Sequence, residues 1–495
     1  MEELDRDVPG TRGRTWGRAL AAVVAGVLLV GGTGVAVFSL AEVGPEQRSS
    51  TTRAVPTASP SAVPAGKRTE PKLVVGAHAP TVYDSIDEVP ACATSRARLP
   101  GPGVDDGFED DVERVSRSVE RIRKLDFRKP VDTRVVPAEE VGRRFAAGLA
   151  RQYSPLQAAA DRRWMSLLRL APEDIDLHTL AVDLAKRTAA GFYNPRKRRL
   201  FSRSTGGALT PVDEIVLAHE IDHALVDQVL RLPGTVSQDP MLSDVMLAHQ
   251  ALVEGDATLA MSQYGAGTLD RAALDGFLRR FSSPEIAGYP GVPWYLQRTS
   301  GFPYFEGLLF ACDAWRDGGW RAIDRMYRKP PASTAEIVFP WRYEQRAAGE
   351  LPPSAPRPGK RWSELTVAAF GAFDLMLMLE NADLLASGRA VPGSRVDDVR
   401  GWNGGVMNVW FKGAATSLHL SFVDAGVVED GRRRRELCGV LRGWVGRTFP
   451  SARRVRPGRD LWALDEDFAA LRCAGASVQL AIAPGRGRVR RILHP

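Results

Sequence analysis

Residues Ala19 to Leu40 are 22 consecutive positions without a charged side chain. As a helix rising about 1.5 Å per residue the run is about 33 Å long, enough to cross a bilayer. Arg12, Arg14 and Arg18 precede it and Glu42 and Glu46 follow it. The positive-inside rule then leaves residues 1–18 as a cytoplasmic tail, makes 19–41 a single-pass cell-membrane anchor and puts the rest of the chain outside. A cleaved signal peptide is the rival reading, but the run exceeds a usual signal core and no clean small-x-small site precedes Glu42. With no second comparable run, Cys92, Cys312, Cys438 and Cys473 fall on the exported side, where disulfides persist. Four cysteines allow three pairings; Cys438 with Cys473 is the first expected, since both lie in one short C-terminal region.

At 495 residues, 44% hydrophobic and 25% charged, the exported part is long enough for two or three folded units. Four cysteines in 53.9 kDa exclude a disulfide-dense mini-scaffold, so ordinary packing must hold those units. The net charge of +7 comes mostly from arginine; it permits contact with an anionic envelope polymer or lipid, and no nucleic-acid partner is expected. Residues 42–88 are rich in Pro, Ser, Thr and Ala, as in TTRAVPTASPSAVPAG, and read as a stalk.

The folded part begins with a helical stripe, Val112, Val115, Val119 and Ile122, followed by the strand-like VDTRVV at 131–136. Helical patterns follow at about 138–152, 156–170 and 174–189, and AAGFYNPRKRRLFSR then reads as strand, Asn-Pro turn, strand. Beyond about 395, GWNGGVMNVWFKGAATSLHLSFVDA gives two alternating strands, with a helix at 431–447 and strands near 459–464 and 477–482. The fold class expected is α+β, with units at 89–390 and 395–495.

The chemistry lies at 210–234. Thr210, Pro211, Asp213 and Glu214 open a helix that Pro233 and Gly234 close. Within it His219, Glu220 and His223 spell HEIDH. Imidazoles at i and i+4 share one helix face and can hold one Zn²⁺, with Glu220 beside the metal as a base for water. The bland reading, two imidazoles satisfied by backbone carbonyls or carboxylates, leaves Glu220 unexplained. A catalytic zinc needs a third protein ligand, and Val226 and Val229 occupy the Gly and His places of the extended HExxHxxGxxH motif. The next helical pattern, 241–264, carries Glu254 among Ala, Leu, Val and Gly, where a carboxylate needs a partner. Folding back over the His pair, it would complete a His₂Glu site; a salt bridge to arginine is its bland reading, and His249 and Asp256 compete as ligands. Gly255 is explained by close helix packing.

These residues resemble the gluzincin metallopeptidases, the thermolysin-like superfamily. The runs AAGFYNP, LAHEIDHALVDQ, ALVEGDATLAM, YFEGLLF, GGW and YRKPPASTAEIVFPWRY are more closely similar to uncharacterised exported or membrane-anchored bacterial and archaeal members, over residues 105–410. The resemblance implies a mostly helical zincin-like catalytic domain with a small sheet beside the HExxH helix, and a peptide or protein substrate. By it, His219, His223 and Glu254 are the metal ligands and Glu220 is general base and then proton donor. Where many gluzincins have a carboxylate that orients a ligand histidine, four residues past the ligand Glu, this chain has Thr258; Asp227, with Asp256 as competitor, is expected to serve instead. The resemblance also makes the strand around Arg199–Arg203 the edge that aligns a peptide. Tyr304 or Tyr264 is the candidate phenol for a tetrahedral oxyanion, although a tyrosine in either setting is more often a core aromatic.

Three further features have structural readings. Ser333 and Glu336 form a capping box in outline. The basic runs Arg432–Arg435, Arg453–Arg456 and Arg486–Arg491 read as solvated surface, with envelope contact as the alternative. His419, between Leu418 and Leu420, reads as a buried strand histidine. The function expected is an anchored zinc metallopeptidase facing outward; the alternatives are an inactive zinc-binding scaffold and a metal-free adhesion module.

Overall fold

The stripe of Val112, Val115, Val119 and Ile122 becomes the buried face of helix α1, Phe108–Arg123. The computed structural model describes residues 107–494 apart from 189–190, 204–208, 210, 235–236, 238, 270–290, 346–351, 353–354, 425–431, 457 and 474–476, together with 80–84, 91–92 and 99. The apolar run at 19–40 and most of the stalk lie outside the described residues. Among the described residues no helix is long and apolar enough to cross a membrane. Residues 80–84, assigned to the stalk by composition, are docked: Val82 is buried and the Tyr83 O–H donates to Glu306 at 2.9 Å. A valine and a tyrosine beside Pro80 are enough to tie that end of the stalk to the core.

The fold is α+β. After α1 come β1 (Asp132–Val136), α2 (Ala138–Gln152), α3 (Pro155–Leu167), α4 (Leu177–Thr188), β2 (Gly191–Asn194) and β3 (Arg199–Arg203). The three strands form one small sheet in the order β1-β3-β2, with β3 parallel to β1 and antiparallel to β2. Next is α5, Pro211–Val229, which carries the HEIDH sequence. It ends before the expected Pro-Gly stop: Arg231 adopts a left-handed φ of 71° and its N–H caps the Val226 carbonyl at 2.9 Å. A 3₁₀ turn at Pro240–Leu242 leads into α6, Ser243–Thr268.

Helices α7 (Trp294–Gly301), α8 (Phe305–Gly318), α9 (Trp320–Met326), α10 (Thr334–Val338) and α11 (Pro340–Gln345) complete the helical body. The expected capping box at α10 is replaced. Ser333 makes no side-chain cap; Asp244 from α6 accepts from the Thr334 N–H at 3.2 Å and hydroxyl at 2.5 Å, while Glu336 accepts from the Ala332 N–H at 2.8 Å.

Then follow β4 (Ser363–Ala369), α12 (Ala372–Ser387), β5 (Trp402–Lys412), β6 (Ala415–Asp424), α13 (Arg432–Thr448), β7 (Arg453–Arg454), β8 (Leu461–Ala463), β9 (Phe468–Arg472), β10 (Ser477–Ala483) and α14 (Arg486–Leu493). The strands make an antiparallel sheet in the order β4-β5-β6-β10-β9-β8-β7. Its first strand lies before residue 390, so the expected boundary at 390–395 cuts through the sheet. One apolar cluster runs from Val82 to Ile482 through both parts. Disulfides join Cys92 to Cys312 and, as expected, Cys438 to Cys473.

A buried arginine ties the helical body together. Arg123, at the last position of α1, is 0% exposed. Its Nη1 donates to Asp222 of α5 at 2.7 Å and to Asp256 of α6 at 3.0 Å, and its Nη2 donates to Asp324 of α9 at 2.9 Å. The guanidinium lies 4.4 Å from the centre of the Trp320 ring. Burial opposes its charge, but Asp222 and Asp256 outweigh that penalty and hold it protonated. Nine residues earlier on α1, Arg114 meets Glu214 at 2.8 Å, so α1 holds α5 at two points.

Two predictions follow from this packing. Arg123→Met keeps the apolar stem but leaves three carboxylates without their cation; unfolding in denaturant should show a loss of about 3–5 kcal/mol, and an unchanged midpoint would remove Arg123 from this role. His419 is buried between Asn408 and Gln479, and burial lowers its pKa from 6.5 to about 4. The native ring therefore stays neutral where the unfolded ring takes a proton, and stability is lost as pH falls from 6.5 towards 4. Relative to His419→Gln, the parent should lose up to about 3 kcal/mol between pH 7 and 4; a pH-independent difference would refute the assignment.

Candidate metal centre

The HEIDH helix and the helix after it run antiparallel, because Glu214 meets Tyr264 at 2.8 Å while His219 meets Glu254 at 3.1 Å. Helix α6 is in turn packed tightly on α8. Gly255 lies against Gly307 of α8 so closely that a Cβ at either position would fall 2.1–2.4 Å from backbone oxygen of the other helix. The close packing expected for Gly255 is therefore present, and its consequence is local: it brings Tyr304, the N-cap of α8, beside Glu254.

Three ligand atoms converge there. His219 Nε2 lies 3.1 Å from a Glu254 oxygen and 3.1 Å from His223 Nε2, and His223 Nε2 lies 3.4 Å from the same oxygen. Tetrahedral ligands at about 2.0–2.1 Å from one metal ion are about 3.3–3.4 Å apart, so the triangle matches one face of such a shell. All three side chains are buried, and they form the one group among the described residues found suited to hold a metal ion. Two imidazole nitrogens turned towards each other hold at most one proton between them, whereas a cation satisfies both lone pairs and the carboxylate together. In the metal-free protein burial opposes the charge on His223, but Glu254 outweighs it and raises the ring to about 9. Burial likewise raises the Glu254 carboxyl, and His223 with His219 reverses this to a net lowering.

Glu220 is half-buried, and its carboxylate accepts the Tyr193 backbone N–H of β2 at 2.7 Å. Tyr304 stacks on His219 with ring centres 6.2 Å apart, and its phenol lies within the fields of Glu254 and Glu220. Burial, then the negative fields of Glu254 and Glu220, hold its phenol well above its ordinary pKa, so it stays a donor. Tyr264, the other candidate phenol, is placed elsewhere and donates to Glu214 at 2.8 Å.

Several other expectations change. Asp227 accepts from the Tyr193 O–H at 2.8 Å, and Asp256 accepts from Arg123 and from the Tyr327 O–H at 2.6 Å, so both candidate orienting carboxylates are engaged away from the imidazoles. His219 Nδ1 and Thr258 Oγ1 are instead buried without a partner. His249 is no ligand; its Nδ1 meets the Gly234 carbonyl at 2.6 Å. The strand Arg199–Arg203 is central in its sheet, flanked by β1 and β2, and cannot offer a free edge. The edge facing the centre is β2, whose Tyr193 N–H is already engaged by Glu220.

Two residues that sequence reasoning passed over shape the centre. Tyr193 fixes Glu220 through its backbone and Asp227 through its hydroxyl. Arg123 grips α5 at Asp222, between the two histidines, and α6 at Asp256, two residues past Glu254. The signal for Arg123 was present in the acids: Asp222 and Asp256 lie on the same two apolar helices as the ligands and require a buried cation. No family model matches the chain, and neither does any curated protein or solved structure.

Proposed function

We propose that the protein is a zinc-dependent metallopeptidase of gluzincin type, anchored by residues 19–41 and facing outside the cell, that hydrolyses bonds in peptides or proteins. The observation that carries this reading is the convergence of His219, His223 and Glu254 at 3.1–3.4 Å with Glu220 on the same helix as the histidines. Zinc bound there would supply a Lewis acid that polarises the scissile carbonyl and makes water acidic enough to be activated near neutral pH. Glu220, steadied by the Tyr193 N–H, accepts the proton of the attacking water and returns it to the departing amine nitrogen. Tyr304, a protonated phenol at the centre, donates to the developing oxyanion. Two disulfides support placement on the oxidising side of a membrane.

The test separates the residue that moves protons from those that bind metal. The purified full chain should contain one zinc per molecule by elemental analysis. Glu220→Gln should keep that zinc while hydrolysis of a peptide library falls by about 10²–10⁴. Glu254→Ala should lose zinc and activity together, because two protein ligands remain. A folded chain that takes up no zinc ends the metal reading; a zinc-loaded parent that cleaves no peptide moves an inactive scaffold ahead.

A further inference from the structure

The end of the chain builds a cationic pocket that the metal centre does not use. Helix α14 docks Val489, Ile492 and Leu493 on a small second core with Trp362, Trp410 and Leu461. Arg488 and Arg491, three apart and therefore on one face, stand beside Trp362 at its rim. With Lys360 and Arg361 from the segment before β4 and Lys412 from the end of β5, they line a shallow, solvent-open cleft of about 470 Å³. Five side chains are cationic, and no Asp or Glu is among the lining residues. Elsewhere in this part some arginines are matched, among them Arg442 with Asp460, Arg395 with Asp383, and Arg400 with Asp397. None of the five pocket cations has a carboxylate partner among the described residues.

The guanidinium groups are held in place without acids. Arg491 Nη1 donates to the Pro358 carbonyl at 3.2 Å, and Arg488 donates to the Pro484 carbonyl. Both lie against glycine: a Cβ on Gly359 would come 3.2 Å from Arg491 Nη1, and one on Gly485 would come 2.8 Å from Arg488 Nη1. Arg488 also lies over the Trp362 ring at 5.9 Å. Backbone carbonyls and an aromatic face orient these groups but leave their charge uncompensated. Five like charges around one concavity repel one another until an anion enters.

We propose that this pocket binds phosphate groups. Guanidinium forks pair with two oxygens of a tetrahedral oxyanion at once, and the two lysines add point charges that a multiply charged anion neutralises better than a single carboxylate does. The chemistry is shared by a soluble phosphate polymer and by a phospholipid headgroup, and it stands independently of the zinc reading.

The test uses the full chain and pyrophosphate, titrated by calorimetry at low and at physiological salt. Binding should weaken as salt rises, and Lys412→Glu or the pair Arg488→Glu with Arg491→Glu should each weaken it about tenfold or more. Lys412 is exposed at a hairpin end, so its variant keeps the test valid where the double variant fails to fold. A parallel arm compares vesicles of phosphatidylglycerol with vesicles of phosphatidylcholine, reading the difference between parent and variant because the apolar run at 19–40 is common to both. Pyrophosphate binding that the variants weaken assigns a soluble phosphate source; a variant-sensitive preference for phosphatidylglycerol assigns a headgroup. Absence of both, or charge-reversed chains that bind as the parent does, overturns the proposal.

Discussion

One guanidinium in a dry interior holds the candidate centre in register. Arg123 is fully buried, and Asp222 and Asp256, on the two ligand-bearing helices, both contact its Nη1. Taking those charges out of water is expensive, and only their mutual contacts offset it. The helices are thereby fixed in rotation as well as in distance. Were α5 to turn by one residue, about 100°, Asp222 would leave Arg123 and His219 would leave Glu254 together. Apolar packing alone would not discriminate so sharply, since α6 is buried nearly all round and has no polar face to set its angle.

Another face of α6, about 100° round from Asp256, uses a different device. Gly255 and Gly307 put two backbones in contact, and this close approach lets the start of α8 deliver Tyr304 to Glu254. Ionic clamping on one face and backbone contact on another leave the His219, His223 and Glu254 triangle little freedom. Binding groups held this way need little reorganisation when a ligand arrives, which is the usual physical basis of a tight site.

Local signals in the sequence located much of this. The HEIDH spacing, the return of Glu254 and the small residue at 255 each have a short-range meaning, and the elements around them fall close to where periodicity puts them. What the sequence hid was pairing over long separations. Whether Asp227 turns to His223 or to Tyr193 depends on where β2 lands, and periodicity carries no information about that. The edge strand was misplaced for the same reason: Arg199–Arg203 reads as a strand, but β1 arrives from 67 residues earlier, where Asp132 meets Arg199, and covers it. The boundary expected near 390 follows the change of pattern to alternating strands, whereas the sheet begins earlier: β4 pairs with β5 across that change.

The bond between Cys92 and Cys312 closes a loop with a sequence separation of 220. Cross-linking so long a segment restricts the unfolded chain by about 5 kcal/mol on the loop-entropy account. Every candidate ligand, the proposed base and the phenol lie inside that ring. A single backbone cut anywhere between the two cysteines therefore opens the ring without releasing a fragment, and the severed ends remain tethered through the disulfide. The same covalent closure that stabilises the fold therefore also keeps a nicked molecule whole.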